Sequence, residues 1–396
     1  LTYEASDPQA LPAELKVERA ETGRRRRLLH QARSAGGLLL AVGLVWLILF
    51  ITTDGVFISD RNLINLMRQT SVTAMVALGM LVIIAQGEID LSVGSFLSLC
   101  ATVIALMESW AGLPAPVTIL AALVLGAIVG LWNGLWVARL GVPAFVTTLG
   151  GMLAFRGISL AISGGNTISG IRGDIRFFGE AFITGPPLWL FLAGAMLVAM
   201  APLRRVEARR RPKDLIKVAA GLLAVAALAW MTLSYRGLPM PVALTLVIGG
   251  ALAYALKNLV WGRHAFAVGG NRTAAKIAGI AVGRQIVISY LLIGVLTAIA
   301  ALMFVGRLGA APPEAGYFLE LNAISAVVIG GASLYGGTGT VTGVLLGALL
   351  MQSLSNGLSL MNVPSAYQNI TSGLVLMFAV YLDAVAKRGG VPFLRQ

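Results

Sequence analysis

Apolar runs long enough to cross a lipid bilayer follow one another along almost the whole chain, and that pattern leaves few folds open. Twelve can be marked: 36–52, 63–86, 89–110, 115–138, 143–163, 187–202, 215–234, 239–257, 286–306, 319–332, 341–360 and 365–385. A bilayer-spanning helix takes ~20 mostly apolar residues, so a chain of 396 residues built this way encodes roughly ten to twelve crossings. The expected fold is all-α, a polytopic membrane helix bundle with no sizeable soluble domain. Side chains that are 57% hydrophobic and 12% charged, with mean hydropathy +0.85, exceed what a water-soluble domain can hide, which excludes a self-contained soluble enzyme. The single Cys100 and the two histidines, His30 and His264, rule out a disulfide framework and argue against a Cys/His metal site. No catalytic residue, metal or cofactor is expected.

The net charge of +13 reports membrane topology rather than nucleic-acid binding, because the cations lie between the apolar runs. Short loops rich in Lys and Arg stay in the cytoplasm. One cluster precedes Gly36 (Lys16, Arg19, Arg24–Arg27, Arg33), a second fills the 203–217 linker (Arg204, Arg205, Arg209–Arg211, Lys213, Lys217), and a third surrounds the next linker (Lys257, Arg263, Arg272, Lys276, Arg284). Lys387, Arg388 and Arg395 form the last. An even number of apolar runs separates each cluster from the next, so one assignment puts them all inside, with both termini cytoplasmic. On this reading 1–35 and 387–396 are cytoplasmic tails and 36–386 is the transmembrane domain. The first apolar run begins after Arg33 without a small-residue cleavage site and is expected to remain as a membrane helix. Arg61, Arg68, Arg156, Arg172, Arg176, Arg236 and Arg307 fall in outer loops or near outer helix ends. Those loops are short apart from 164–186, so capture of a solute outside falls to another protein.

Small residues at helical spacing recur at Gly126, Gly130 and Gly134, at Gly343 and Gly347, and at Gly150 with Ala154. They let backbones approach closely, either within the bundle or at a dimer seam. Two stretches look related: Val82 to Ser95 and Val327 to Thr338 each run from an apolar segment through a small polar break into Gly and Ser/Thr. A parallel internal repeat and two unrelated Gly-rich hairpins both fit. Segment 319–332 would reach only ~21 Å as a helix against a hydrocarbon core of ~30 Å, which leaves room for it to end inside the membrane. Short or broken helices at matching places point to a transport path, since their free backbone groups need partners.

Glu88 and Asp90 are the only acids between Asp60 and Glu108. Each would cost ~2.5–3.5 kcal/mol at the bilayer centre on insertion scales. A gate in a polar pathway and a cap for the helix that follows Asp90-Leu-Ser92-Val-Gly94 are compatible readings. Uncharged polar groups interrupt other runs: Asn65 and Gln69, Asn133, Asn322 and Ser325, Gln352 and Asn356, Gln368 and Asn369. Amides and hydroxyls suit a neutral, hydroxyl-rich solute; interhelical hydrogen bonding is the simpler reading of any single one. The candidate pathway comprises Gln69, Glu88, Asp90, Ser92, Asn133, Asn322 and Asn356.

The turn Gly336-Gly-Thr-Gly339 lacks the Gly-Lys-Ser/Thr of a phosphate-binding loop, so this chain does not hydrolyse ATP alone. The 262–284 linker is cytoplasmic by charge. Within it Asn271 can cap a short helix whose Ala274, Ala275, Ile277 and Ala278 offer a small apolar surface for a groove on a partner.

The run Gly87-Glu-Ile-Asp-Leu-Ser-Val-Gly94, the linker Ala267-Val-Gly-Gly-Asn271 through Ala274-Ala275 to Gly279-Ile280, and Val328-Ile-Gly-Gly331 resemble the permease subunits of ribose/xylose-type sugar ABC importers. The likeness extends from about Thr52 to Arg388. It includes Thr53-Asp-Gly55, Trp132-Asn-Gly134, Met152-Leu-Ala-Phe-Arg-Gly157, Tyr235-Arg-Gly237 and Gly306-Arg-Leu-Gly309. These stretches, and an acid at Glu88 where ribose-type members usually have Gly, are most similar to the xylose branch. The resemblance implies a homodimeric pore fed by a periplasmic sugar-binding protein and driven by a separate cytoplasmic ATP-binding subunit. It also implies that Gly269, Gly270, Asn271, Thr273, Ala274, Ala275 and Gly279 belong to the coupling segment that meets that subunit. Members commonly carry Glu at the position of Thr273, so a charge-paired contact there is in question. A proton-coupled secondary transporter using Glu88 and Asp90 is the rival reading.

Overall fold

The computed structural model describes residues 36–200 and 212–388. The basic tail 1–35, the linker cations Arg204, Arg205 and Arg209–Arg211, and residues 389–396 lie outside the described residues. Among the described residues each of the twelve apolar runs contains a helix. In chain order the helices are α1 (Gly36–Thr52), α2 (Asp60–Ala85), α3 (Val93–Ala105, continued by a π-turn over Leu106–Trp110), α4 (Ala115–Ala138) and α5 (Ala144–Ser163). Then come α6 (Gly173–Glu180), α7 (Pro186–Met200), α8 (Pro212–Leu233), α9 (Met240–Asn258), α10 (Val260–Gly270) and α11 (Arg272–Ile277). The last are α12 (Val282–Leu308), α13 (Leu319–Ile329), α14 (Val341–Leu360) and α15 (Ser365–Arg388). Seven helices, namely α2, α3 with its π-turn, α4, α5, α9, α12 and α14, are long and apolar enough to cross a membrane. Four shorter apolar helices accompany them: α1, α7, Val218–Ser234 of α8, and α13.

The core forms around α2 and α12. From Val72 to Ala85 every residue of α2 is buried, so this helix shows no polar face and behaves as the centre of a bundle rather than its rim. Glycines set how closely its neighbours approach. A Cβ on Gly126 would come within 2.6 Å of the Gly294 carbonyl oxygen and 2.9 Å of Ala298 Cβ, and one on Gly134 within 3.0 Å of Val287 Cα, so the small-residue stripe of α4 is packing within the chain, against α12. Gly347 likewise lies against Ala326, joining α14 to α13. A Cβ on Gly150 would meet nothing within 4 Å; its face of α5 is open.

Alternating helix direction sorts the connections to two ends. One end, the hairpin end, holds two small antiparallel pairings, Ile168–Ser169 with Ala310–Ala311 and Phe182–Ile183 with Leu238–Pro239. The other, the linker end, gathers segment 86–92, the α10–α11 linker and loop 330–340; there the Gly337 N–H donates to the Ala85 carbonyl at 2.9 Å. The two stretches that look related in sequence therefore lie side by side.

Helix α13 is short, as the 319–332 run implies. It has 11 residues, ~16 Å of helix, shorter than the 319–332 run, and it begins within the bundle. The approach to it runs along α3: Ser98 Oγ donates to the Pro313 carbonyl at 2.8 Å, and a Cβ on Gly94 would meet the Gly316 carbonyl at 2.5 Å. Phe318, at φ 58°, then turns the chain into the helix. Gly94 is therefore required by a backbone crossing as well as by sequence pattern.

Candidate functional site

Segment 86–92 leaves α2 at Ala85 and re-enters helix at Val93, and most of its polar groups are bonded, Gln86 Oε1 being buried without a partner. Ser92 donates to Asp90 Oδ1 twice, from its backbone N–H at 2.8 Å and from its hydroxyl at 2.6 Å. Asn133 Nδ2 of α4 in turn donates to Ser92 Oγ at 3.0 Å. The Ile89 carbonyl accepts from Tyr290 and Thr148, each at 3.4 Å, and Gln86 Nε2 donates to Ser289 Oγ. Asp90 is thus not the N-cap of α3. Ser92 holds that position, and Asp90 closes an Asx-type turn one step earlier because its carboxylate reaches the N–H two residues on.

Glu88 points the other way. Its Oε1 accepts from Arg272 Nη1 at 2.9 Å, an ion pair between the α2–α3 junction and the first residue of α11. Burial raises the Glu88 carboxyl and the neighbouring Arg272 guanidinium pulls it back, with burial the larger effect. The two acids therefore serve different neighbours, and no hydrogen bond joins them.

The linker itself forms two helices where one was expected. A Cβ on Gly269 would come within 2.7 Å of the Gly337 nitrogen, so the end of α10 lies directly on the end of α2 and on loop 330–340; Gly270, one residue on, has nothing within 4 Å. Asn271 Oδ1 accepts from the Ala274 N–H at 2.9 Å, the cap that the sequence implies. Gly279, at φ 81°, ends the turn. Ala275 departs from expectation: it is 4% exposed and packs toward the bundle, whereas Thr273, Ala274 and Ala278 are exposed and Ile277 is 84% exposed. A six-residue helix has one inward face, and Ala275 occupies it.

The remaining pathway candidates tie helices together. Gln352 Nε2 donates to Gln69 Oε1 at 2.9 Å, and Asn356 exchanges two amide hydrogen bonds with Asn62, at 3.0 and 3.1 Å, so α14 is pinned to α2 at two levels. Asn322 is half-buried on α13. None of the seven candidates lines the cleft of about 710 Å³ at the hairpin end, whose walls include Asn62, Asn65, Arg61, Arg68 and Arg236. Asn356 reaches that cleft only through Asn62. Two acids escaped the sequence reading. Glu320, 8% exposed with Oε2 lacking a partner, stands beside Gly94, and Glu108 in the π-turn pairs with Arg172 at 3.1 Å. Glu320 lies within an apolar run, the same signal that marked Glu88 and Asp90.

Residues 62–380 match the family described as Branched-chain amino acid transport system / permease component. The Haemophilus influenzae xylose transport system permease protein XylH is 40% identical over 366 residues, covering 89% of this chain and 96% of that protein. XylH of Escherichia coli K12 is 42% identical over 363 residues, 89% of this chain and 92% of its own. The Escherichia coli K12 ribose import permease protein RbsC is 35% identical over 358 residues, 90% and 94% respectively. No solved structure matches. Likeness of this extent to whole permeases, on a bundle of apolar helices with a packed polar junction at one end, means that the chain is a multi-pass membrane protein and belongs, with the xylose and ribose permeases, to the branched-chain amino acid transport system / permease component family.

Proposed function

We propose that this chain is the membrane-spanning permease subunit of a sugar ABC importer, carrying a neutral monosaccharide, D-xylose, across the bacterial inner membrane. The observation that carries the reading is the 40–42% identity to xylose permeases over 89% of the chain, against 35% to a ribose permease. ATP is hydrolysed by a separate cytoplasmic subunit, and a periplasmic binding protein delivers the sugar. A second copy of this chain completes the pore. The open face of α5, where Gly150, Leu153, Ala154 and Gly157 are exposed, is a small-residue surface suited to that contact.

The charge pattern puts both termini, 203–217 and 262–284 in the cytoplasm, so the linker end faces inward and the hairpin end outward. Residues 36–386 form the transmembrane permease domain. Exposed Ile277, with Thr273, Ala274 and Ala278, supports contact between α11 and the ATP-binding subunit. The pathway candidates gate rather than line a preformed tunnel, since Gln69, Asn356, Asp90, Ser92 and Asn133 are all engaged with one another or with neighbouring helices. A proton-driven carrier would need carboxylates free to load and unload, and Glu88 is held by Arg272. Vesicle uptake of labelled xylose, with ATP on the cytoplasmic side and the binding protein on the other, tests the reading. ATP-dependent uptake insensitive to a protonophore supports it; uptake without ATP and abolished by the protonophore rejects it.

A further inference from the structure

The cleft of about 710 Å³ at the hairpin end is lined by three arginines, Arg61, Arg68 and Arg236, and by one acid, Glu180. That acid is already engaged. Its Oε1 accepts from Arg176 Nη2 at 2.6 Å, and its backbone carbonyl, not its carboxylate, takes Arg68 Nη2 at 2.6 Å. Among the described residues neither Arg61 nor Arg236 has a carboxylate at ion-pair distance, and Arg68 Nε is buried without an acceptor. The cleft therefore carries unbalanced positive charge and an unfilled donor at its wall.

Depth and rim narrow what can fill it. Arg68 lies eight residues into α2, ~12 Å along the helix from Asp60, with its guanidinium 4.5 Å over the Phe182 ring. On the proposed topology this places Arg68 toward the outer end of α2, where an arginine can snorkel toward the headgroups. Two rim residues are apolar or aromatic and open to the surroundings: Val56 is 51% and Tyr235 38% exposed. An anion that brings its own apolar tail satisfies both the guanidiniums and the rim, and guanidinium forks match phosphate oxygens. We infer that this cleft is a binding site for the phosphate headgroup of an anionic membrane phospholipid.

The test uses the purified full chain in nanodiscs of phosphatidylcholine containing a minor share of phosphatidylglycerol, with retained lipids counted by native mass spectrometry. Wild type should enrich phosphatidylglycerol over the bulk, and Arg61→Gln/Arg236→Gln should lower that enrichment by about tenfold or more, since each cation near a membrane surface contributes about fivefold. Arg61→Lys/Arg236→Lys keeps the charge and should retain most of the effect, which separates lost binding from lost folding. Arg68 is left intact because it also holds the Glu180 carbonyl. Equal enrichment in wild type and the Gln variant would overturn the inference. So would displacement of phosphatidylglycerol by millimolar inorganic phosphate, which would make the site one for a free anion. A third overturning result is a Gln variant that keeps its lipid but no longer responds to the binding protein, which would assign the cleft to acidic side chains of that partner.

Discussion

Glu88 Oε1 and Arg272 Nη1 lie 2.9 Å apart although 184 positions separate them in the chain, and the bond joins the α2–α3 junction to the start of α11. Two residues beyond Glu88, Asp90 organises the turn that begins α3. On the proposed function, a displacement of α11 should reach the foot of α3 through one ion pair and three residues of backbone. With Arg272 about half exposed, the pair itself contributes only ~0.2–1 kcal/mol to stability, so on the proposed function its removal should show in coupling rather than in folding. Glu88→Gln and Arg272→Gln should each reduce ATP-driven uptake several-fold while leaving the protein folded, and Glu88→Arg/Arg272→Glu should restore a large part of it. Uptake unchanged in both single variants would show that the pair transmits nothing.

The same pair gives a pH signature. Burial holds the Glu88 carboxyl above its unfolded value, so the folded chain binds this proton more tightly. Its contribution therefore favours the folded state below the unfolded pKa and is lost as pH rises through the folded one. Arg272 opposes the shift, so in Arg272→Gln the Glu88 carboxyl should rise further and the loss of stability on going from acid to neutral pH should grow. Thermal unfolding midpoints of wild type and Arg272→Gln between pH 4 and 8 check the sign; parallel curves would contradict it.

Asp90→Asn and Asp90→Ala separate the roles of charge and turn. Asn keeps an oxygen for the Ser92 N–H, whereas Ala leaves that buried donor and the Ser92 hydroxyl without their acceptor, a loss of ~1–3 kcal/mol. Asp90→Ala should therefore be the less stable variant. If Asp90→Asn transports normally and Asp90→Ala does not, the turn rather than the charge is what transport needs.

Neighbouring glycines in the linker should behave oppositely. Gly269→Ala places a methyl within 2.7 Å of the Gly337 backbone nitrogen and must push α10 off α2, a cost of ~1–3 kcal/mol or more for overpacking. Gly270→Ala meets nothing within 4 Å and should be near neutral. Detergent-solubilised stability and yield of the two variants give the comparison.

Helix positions were legible from the apolar runs because a bilayer dictates both the length and the composition of what crosses it. The runs 115–138 and 341–360 coincide with α4 and α14. The eight-residue α6 and the Gly-containing α10 were not set apart, since neither is long enough or apolar enough to register against its loop. The acids of segment 86–92 were conspicuous, but their partners were not: nothing local links Glu88 to Arg272, or Asn356 to Asn62 across 294 positions. The direction of Ala275 was hidden for a different reason. Six residues make less than two turns, too few for hydrophobic periodicity to set a phase.

That direction decides how docking of α11 is best tested. Ala275 is 4% exposed, so Ala275→Glu buries a carboxylate inside this chain and should damage its folding whether or not a partner is present. Ile277, 84% exposed on the opposite side of the helix, can be changed without disturbing the bundle. On the proposed function, Ile277→Glu should leave membrane insertion and thermal stability as in wild type, yet weaken co-purification with the ATP-binding subunit and sharply reduce sugar-stimulated ATP hydrolysis, because an unpaired carboxylate would have to be desolvated at the contact. Thr273→Glu, also exposed and at the position where the resemblance implies an acid, should be tolerated. Full coupling in Ile277→Glu would mean that the ATP-binding subunit meets this chain at another segment of the linker end.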